Sequence, residues 1–278
     1  VSTERFSYRG NDDTTAWSPR NAGGEYGGTI TMKKGLALSV NTITARVITQ
    51  YTTPQAVKHY AQRMGIRSEM EAVPAMSLGT FDMTLAEVLS AYATIAGGGV
   101  WHEPTFVTRI EDKYGNVLAE FVPESEEALS RKTAYLMVEM LRAVVDKGTA
   151  AGMRWRYNVP YEMDIGGKTG TTQNHSDGWF MGFTPDFATG VWVGCSDRNV
   201  HFRTLRLGSG SNMAMPIWAY YMKAVYEDPE LNLDMARAFQ PPPGLKVETD
   251  CDKFKLQQAP TRPDRPDQQN GLGIGDFD

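Results

Sequence analysis

Hydrophobic positions recur at helical spacing most clearly over residues 130–147. There Ala134, Val138, Leu141 and Val145 fall three or four apart, behind Ser130 and ahead of Gly148. That period marks a helix with one face in a core, and serine before it and glycine after it are common start and stop residues. The same reading predicts further helices. Residues 31–38 form a short one that delivers Ser39 to its C-terminal end, and a second follows Asn41 through Ala45, Val47 and Ile48. Thr53-Pro54 opens a third, with the threonine as cap and the proline at the first helical position, where its missing N–H costs nothing; Gly65 ends it. Thr84-Leu85-Ala86-Glu87 is a capping-box pattern whose helix runs to Ala96 and stops at Gly97-Gly98-Gly99. A last helix over 213–225 carries Met215, Ile217, Trp218, Tyr221 and Met222.

Between these lie strand patterns. Residues 105–111 and 117–121 predict a small hairpin around Lys113-Tyr114-Gly115-Asn116. Residues 165–172 predict a strand made thin by Gly166, Gly167 and Gly170. Residues 179–183 and 191–196 predict an antiparallel hairpin across the turn signal Thr184-Pro185-Asp186. The fold class expected is α/β in the layered α+β sense, an antiparallel sheet flanked by helices. Residues 1–239 are read as one domain. Residues 240–278, opening on Gln240-Pro241-Pro242-Pro243 and rich in Pro, Asp, Gln and Gly, are read as a linker or disordered tail.

Composition narrows the function classes. A hydrophobic share of 41% is enough for a proper core, and a net charge of −5 with scattered Lys and Arg excludes a phosphate-neutralising stripe, so no nucleic-acid partner is expected. No apolar run approaches the ~20 residues of a membrane span. The two cysteines, Cys195 and Cys251, form no zinc-type cluster, and no metal or cofactor is expected. Cys195 lies in an apolar run and reads as a buried, inert thiol; pairing with Cys251 in an oxidising compartment is the alternative. The histidines His59, His102, His175 and His201 are far apart, and no motif supplies a Ser-His-Asp triad.

Two motifs carry chemistry. Gly166-Gly167-Lys168-Thr169-Gly170-Thr171-Thr172 puts a lysine beside hydroxyls on a strand whose neighbours lack side chains. Alternation sends Lys168, Gly170 and Thr172 to one face and Thr169 and Thr171 to the other. A peptide can lie along such a strand as an added strand would, with Lys168 near its carboxylate, a threonine hydroxyl donating to it, and a backbone N–H placed for an oxyanion. Ser39-Val40-Asn41 at the end of a short helix is the second motif. Alone, the first also reads as a surface strand with turn glycines and the second as a helix C-cap. Together they belong to the set found in active-site-serine penicillin-binding proteins and β-lactamases.

The resemblance extends along the chain through Gly28-Thr29-Ile30-Thr31, Gly79-Thr80-Phe81-Asp82-Met83-Thr84 and Ser90-Ala91-Tyr92-Ala93. It is most specific at Asp177-Gly178-Trp179-Phe180-Met181-Gly182-Phe183-Thr184-Pro185 and Val191-Trp192-Val193-Gly194. The sequence resembles the class A penicillin-binding proteins, which join a glycosyltransferase to a transpeptidase. That resemblance implies the serine β-lactamase/penicillin-binding transpeptidase fold. It also implies peptidoglycan cross-linking, in which a serine attacks the D-Ala-D-Ala amide of a stem peptide and passes the acyl group to an amine; β-lactams would trap the acyl-enzyme. Ser39 would relay a proton to the leaving amine, Asn41 would hold the substrate amide, and Lys168 would keep the Ser39 region positive. Thr169, Gly170 and Thr171 would form the substrate-binding stretch, with the hydroxyls of Thr169 and Thr171 on the carboxylate and the Thr171 N–H in the oxyanion hole.

The nucleophile of this family usually belongs to a Ser-x-x-Lys motif, and no serine of the chain has a lysine three residues on. The expectation is therefore a transpeptidase domain lacking its N-terminal part, inactive alone and completed by that missing portion, with a membrane anchor also lost. Partners implied are stem peptides and β-lactams, at the periplasmic side of the bacterial cytoplasmic membrane. Two rivals are a non-catalytic β-lactam or cell-wall sensor, and a D,D-carboxypeptidase or β-lactamase on the same fold.

Overall fold

The structure, a computed structural model, describes residues 1–10 and 16–253. Local signals start four of its α-helices. Thr31 caps α1 (Met32–Ala37) by accepting from the Lys34 N–H, and Thr53 does the same for Ala56 at α3 (Pro54–Arg63). Between them α2 (Asn41–Arg46) runs into a wider π turn over Val47–Tyr51. Ser130 caps α5 (Arg131–Lys147), whose Ala134, Val138, Leu141 and Val145 are all buried, as their spacing requires.

The capping box of α4 (Leu85–Ala96) is complete, and it does more than cap. The Glu87 carboxylate accepts from Thr84 N and Oγ1 at 2.9 and 2.7 Å, and from Arg67 N, Ser68 N and Ser68 Oγ at 2.7, 2.6 and 2.8 Å. One side chain thus clasps the 67–68 loop to the start of the helix. The Thr84 hydroxyl first, then the other donors, hold its pKa down to about 2 from 4.5.

Downstream, a three-stranded antiparallel sheet has the order β5 (Gly166–Thr171), β6 (Gly178–Phe183), β7 (Ala188–Val193). The last strand starts three residues before the expected 191 and ends at Val193. The turn explains the shift: Thr184 N donates to the Phe187 carbonyl at 2.8 Å, so the ladder begins at once with Ala188 opposite Phe183. Two small ribbons lie apart from it. β2 (Arg109–Glu111) and β3 (Val117–Glu120) form the expected hairpin, while β1 (Val100–His102) pairs with β4 (Ser125–Glu127), a pairing the hydrophobic pattern did not indicate.

Helices cover both faces of the sheet. On one, α8 (Gly210–Glu227), which follows the short α6 (Gly152–Arg156) and α7 (Leu205–Gly208), lays Trp218 edge-on to Phe180 with centroids 5.2 Å apart. Approach this close requires Gly182, where a Cβ would lie 2.6 Å from the Trp218 ring. On the other, Phe183 packs with Ile95 of α4 and with Val138 and Leu141 of α5. Within α8, Met215, Trp218 and Met222 are buried, while Ile217 and Tyr221 lie on the outer face. Beyond α8 the chain returns to the body: Phe239 donates its N–H to Asp164 at 3.0 Å and sets its ring edge-on to Phe183. Lys33 of α1 reaches the Thr249 carbonyl at 3.2 Å. Residues 254–278 of the expected tail lie outside the described residues.

Glu87 predicts an acid limb. Its folded pKa lies below the unfolded value, so its stabilisation is full above about pH 4.5 and is lost as pH falls toward 2. Urea unfolding across pH should show Glu87→Gln less stable than the wild type at pH 7, with the gap closing between pH 4.5 and pH 2. A gap that stays constant over that window would contradict the clasp.

Candidate active site

The site begins with how α1 stops. Ser39 has φ of 54°, the left-handed region, directly after the helix. Its N–H donates to the Leu36 carbonyl at 3.1 Å, and the Val40 N–H reaches back to the Gly35 carbonyl at 2.9 Å. Those two bonds make the helix ending in which glycine is the usual occupant, because a Cβ in this conformation costs about 1 kcal/mol. Here a serine stands in that place, and its hydroxyl is turned to use.

The user of that hydroxyl is Lys168. The strand places it so that Nζ donates to Ser39 Oγ at 2.9 Å, across 129 residues of sequence, and to the Thr169 carbonyl at 2.9 Å. Burial lowers its pKa from 10.5 to about 8, since taking an ammonium from water disfavours the charged form. Both bonds end on neutral oxygens, so the positive charge is not cancelled by either.

The neighbouring threonines sit on the opposite face of β5. Thr169 Oγ1 lies 2.8 Å from Thr149 Oγ1, in the turn after α5. Thr171 Oγ1 accepts from the Gly210 N–H at 3.0 Å, at the start of α8. Gly210 has no room for a side chain, since a Cβ would meet the Gly170 carbonyl oxygen at 2.3 Å. Gly170 itself faces Trp179 across the ladder, where a Cβ would come within 3.1 Å of the Trp179 Cβ.

Asn41 is near Ser39 but differently engaged. Its Nδ2 donates to the Arg20 carbonyl at 2.7 Å, while Asn21 Oδ1 accepts from the Thr42 N–H at 3.0 Å, so the early segment is strapped across the start of α2. At the far end of β5 the hairpin is closed by Asp177, which is buried. It accepts from Ser176 Oγ at 2.6 Å and from Trp192 Nε1 at 3.1 Å, and its N–H donates to Thr172 Oγ1 at 2.9 Å. Among the described residues no group of three His, Cys, Asp or Glu side chains could hold a metal ion, and both cysteines are free thiols, Cys195 being half-buried rather than buried.

The family of the Penicillin binding protein transpeptidase domain matches residues 1–197, well over half of the chain. The chain belongs to the penicillin-binding protein transpeptidase family. Penicillin-binding protein 1A of Neisseria meningitidis is 34% identical over 215 residues, which are 75% of this chain and 26% of that protein. Penicillin-binding protein 1A of Aquifex aeolicus is 35% identical over 209 residues, 75% of this chain and 27% of that one. The chain spans about a quarter of the length of these 1A relatives. The structure of penicillin-binding protein 1A from Haemophilus influenzae superposes with a TM-score of 0.76 at 25% identity, over 87% of this chain and 40% of that one. The PonA1 protein from Mycobacterium tuberculosis, solved with penicillin V, shares the fold at a TM-score of 0.69 and 23% identity, over 87% and 65% of the two chains.

Within this transpeptidase domain, the Ser39 turn and the Lys168 strand meet as the sequence motifs imply. Sequence reasoning did not find Thr149, Gly210 or Arg20. Gly148 was legible as a helix stop, but nothing local shows that Thr149 touches both halves of the site. The left-handed serine yields a stability test. Ser39→Gly and Ser39→Ala both lose the bond to Lys168, yet only glycine relieves the backbone. Thermal or urea unfolding should find Ser39→Gly more stable than Ser39→Ala by about 1 kcal/mol.

Proposed function

We propose that this chain forms the substrate-holding walls of a D,D-transpeptidase that cross-links peptidoglycan through a serine acyl-enzyme with a D-Ala-D-Ala donor. The observation that carries the reading is the Lys168–Ser39 contact at 2.9 Å beside the threonine hydroxyls of β5. Residues 1–239 constitute the transpeptidase portion, and 240–278 a Pro-rich linker or tail. Stem peptides and β-lactams are its ligands, and its place is the periplasmic side of the cytoplasmic membrane. A glycosyltransferase and a membrane anchor belong to the whole protein.

The roles follow from hydrogen-bond capacity. A hydroxyl has one hydrogen to give and two lone pairs to receive. Ser39 receives from the Lys168 ammonium, and Thr171 receives from the Gly210 amide, which can only donate. Each therefore keeps its own hydrogen for a ligand. β5 has a partner strand on one side, β6, so a peptide pairing along its other side would lie in the plane of the sheet, within reach of both faces. Its terminal carboxylate would meet the Lys168 charge and the hydroxyls of Thr169 and Thr171. The Thr171 N–H would serve the oxyanion, Asn41 the substrate amide, and Ser39 the proton passed to the leaving amine. No serine here has a lysine three residues on, so the nucleophile and its base lie outside these 278 residues. The sensor and the carboxypeptidase or β-lactamase readings are less favoured: Ser39, Asn41 and Lys168 are all present, and the relatives are 1A proteins.

Two outcomes test this. A fluorescent penicillin should not label the 278-residue chain covalently; a labelled band that survives denaturing electrophoresis would overturn the assignment of the nucleophile. Non-covalent binding of N-acetyl-D-alanyl-D-alanine should be full below pH 8 and weaken as pH rises through about 8, where Lys168 loses its proton. Lys168→Arg, charged throughout, should flatten that limb; an unchanged limb in the variant would remove Lys168 from the anchor.

A further inference from the structure

Resting on that reading, we propose that Thr149 is a positioning residue of the carboxylate anchor: it donates its hydroxyl hydrogen to Thr169, which turns the Thr169 hydrogen toward the ligand, and it braces the Ser39 turn against β5. Three hydroxyls serve the proposed site. The partners of Ser39 and Thr171, an ammonium and an amide, are obligatory donors, so the direction of those two bonds is settled by chemistry. Thr169 is different. Its partner is another hydroxyl, 2.8 Å away, and either oxygen could give or receive.

An anion resolves the ambiguity. A carboxylate offers only lone pairs, so Thr169 must give its single hydrogen to it and receive from Thr149. In a chain of two donors, each bond polarises the next, and the terminal bond to an ionised oxygen gains most. With the Thr149 hydroxyl removed, Thr169 is free to rotate its hydrogen away and loses that polarisation.

Thr149 is also fixed where this relay requires it. Its N–H donates to the Ala37 carbonyl at 3.0 Å, two residues before Ser39. Beside it, Gly148 runs so close that a Cβ would come within 2.3 Å of the same carbonyl oxygen. A single residue therefore spans the two motifs, with its backbone on the helix that ends in Ser39 and its side chain on the residue after Lys168. The link runs parallel to the Lys168–Ser39 bond and does not depend on the lysine's charge.

The test compares N-acetyl-D-alanyl-D-alanine with its C-terminal amide, titrated into the isotopically labelled 278-residue chain and followed by NMR. Thr149→Val, nearly isosteric but without the hydroxyl, should weaken binding of the acid about ten-fold. It should leave the amide within about two-fold, because the amide can itself donate to Thr169 and does not select the relay. Thr149→Ser should restore acid binding to within about three-fold of wild type, as the hydroxyl returns. In a Thr169→Val background, Thr149→Val should cost nothing further, since the relay has already lost its end. The proposal is overturned if Thr149→Val binds the acid as wild type does, if it loses acid and amide alike, or if the two valine substitutions multiply. A wild-type chain that fails to prefer the acid over the amide overturns the carboxylate reading itself, and this proposal with it.

Discussion

Lys168 is a half-buried ammonium that donates to two neutral oxygens, the hydroxyl of Ser39 and the carbonyl of Thr169. Partial burial disfavours the charged form, which lowers its pKa to about 8. An anion would reverse the balance, restoring to the lysine the counter-charge that the fold withholds. On the proposed reading, the charge is held in place for a carboxylate, so that binding needs little reorganisation.

Most of the surrounding structure can be understood as keeping that lysine opposite that serine. α1 must end at Ser39 and lie against α2, and Gly35 allows it, since a Cβ there would stand 2.8 Å from Ile43 Cγ2. α5 must bring its last turn onto α1, and Gly148 allows that. α8 must start against the end of β5, and Gly210 allows it in turn, while Gly182 lets the rest of the helix settle on the sheet. In each of these contacts a backbone lies directly against another backbone, a ring or, at Gly35, the Ile43 side chain. Such contacts leave little slack, so a small error at any of them would be felt at a 2.9 Å bond.

Features written in a few adjacent residues were legible in the sequence. Thr31, Thr53-Pro54, Thr84 with Glu87, and Ser130 announce helix starts because a cap is satisfied within its own first turn. The glycine-thin strand was legible for a similar reason, since its pattern holds the chemistry and the backbone freedom together. What escaped depends on partners distant in sequence. β4 is Ser-Glu-Glu, with no apolar alternation, and it exists because β1 pairs with it and Arg63 meets Glu126 at 3.2 Å. Ala188, Thr189 and Gly190 look like loop, yet they are strand because they pair with Phe183, Gly182 and Met181, and position 190 is glycine because Leu85 of α4 and Met181 crowd the space a side chain would fill. Thr149 follows a helix stop and gives no local hint that it faces Thr169.

The direction of the hydrogen bonds also limits what the site can do alone. At neutral pH the lysine is mainly an ammonium, with no lone pair, so it cannot take a proton from Ser39. Ser39 is also held in a left-handed turn with its oxygen already receiving from that ammonium, which weakens it as an attacking group. Thr171 has its oxygen engaged by a backbone amide, and the hydroxyls of Thr169 and Thr149 are joined by one hydrogen bond. On the proposed reading this is a donor array that can hold and polarise a peptide terminus, with hydrogens pointing outward and few lone pairs free to accept a proton. Acyl transfer needs a base and a nucleophile as well, and on the proposed reading an array arranged for donation in this way leaves both to another segment. On the same reading, the hydroxyl at position 39 offsets the conformational relief that glycine would bring, because a glycine there would lose the bond to Lys168.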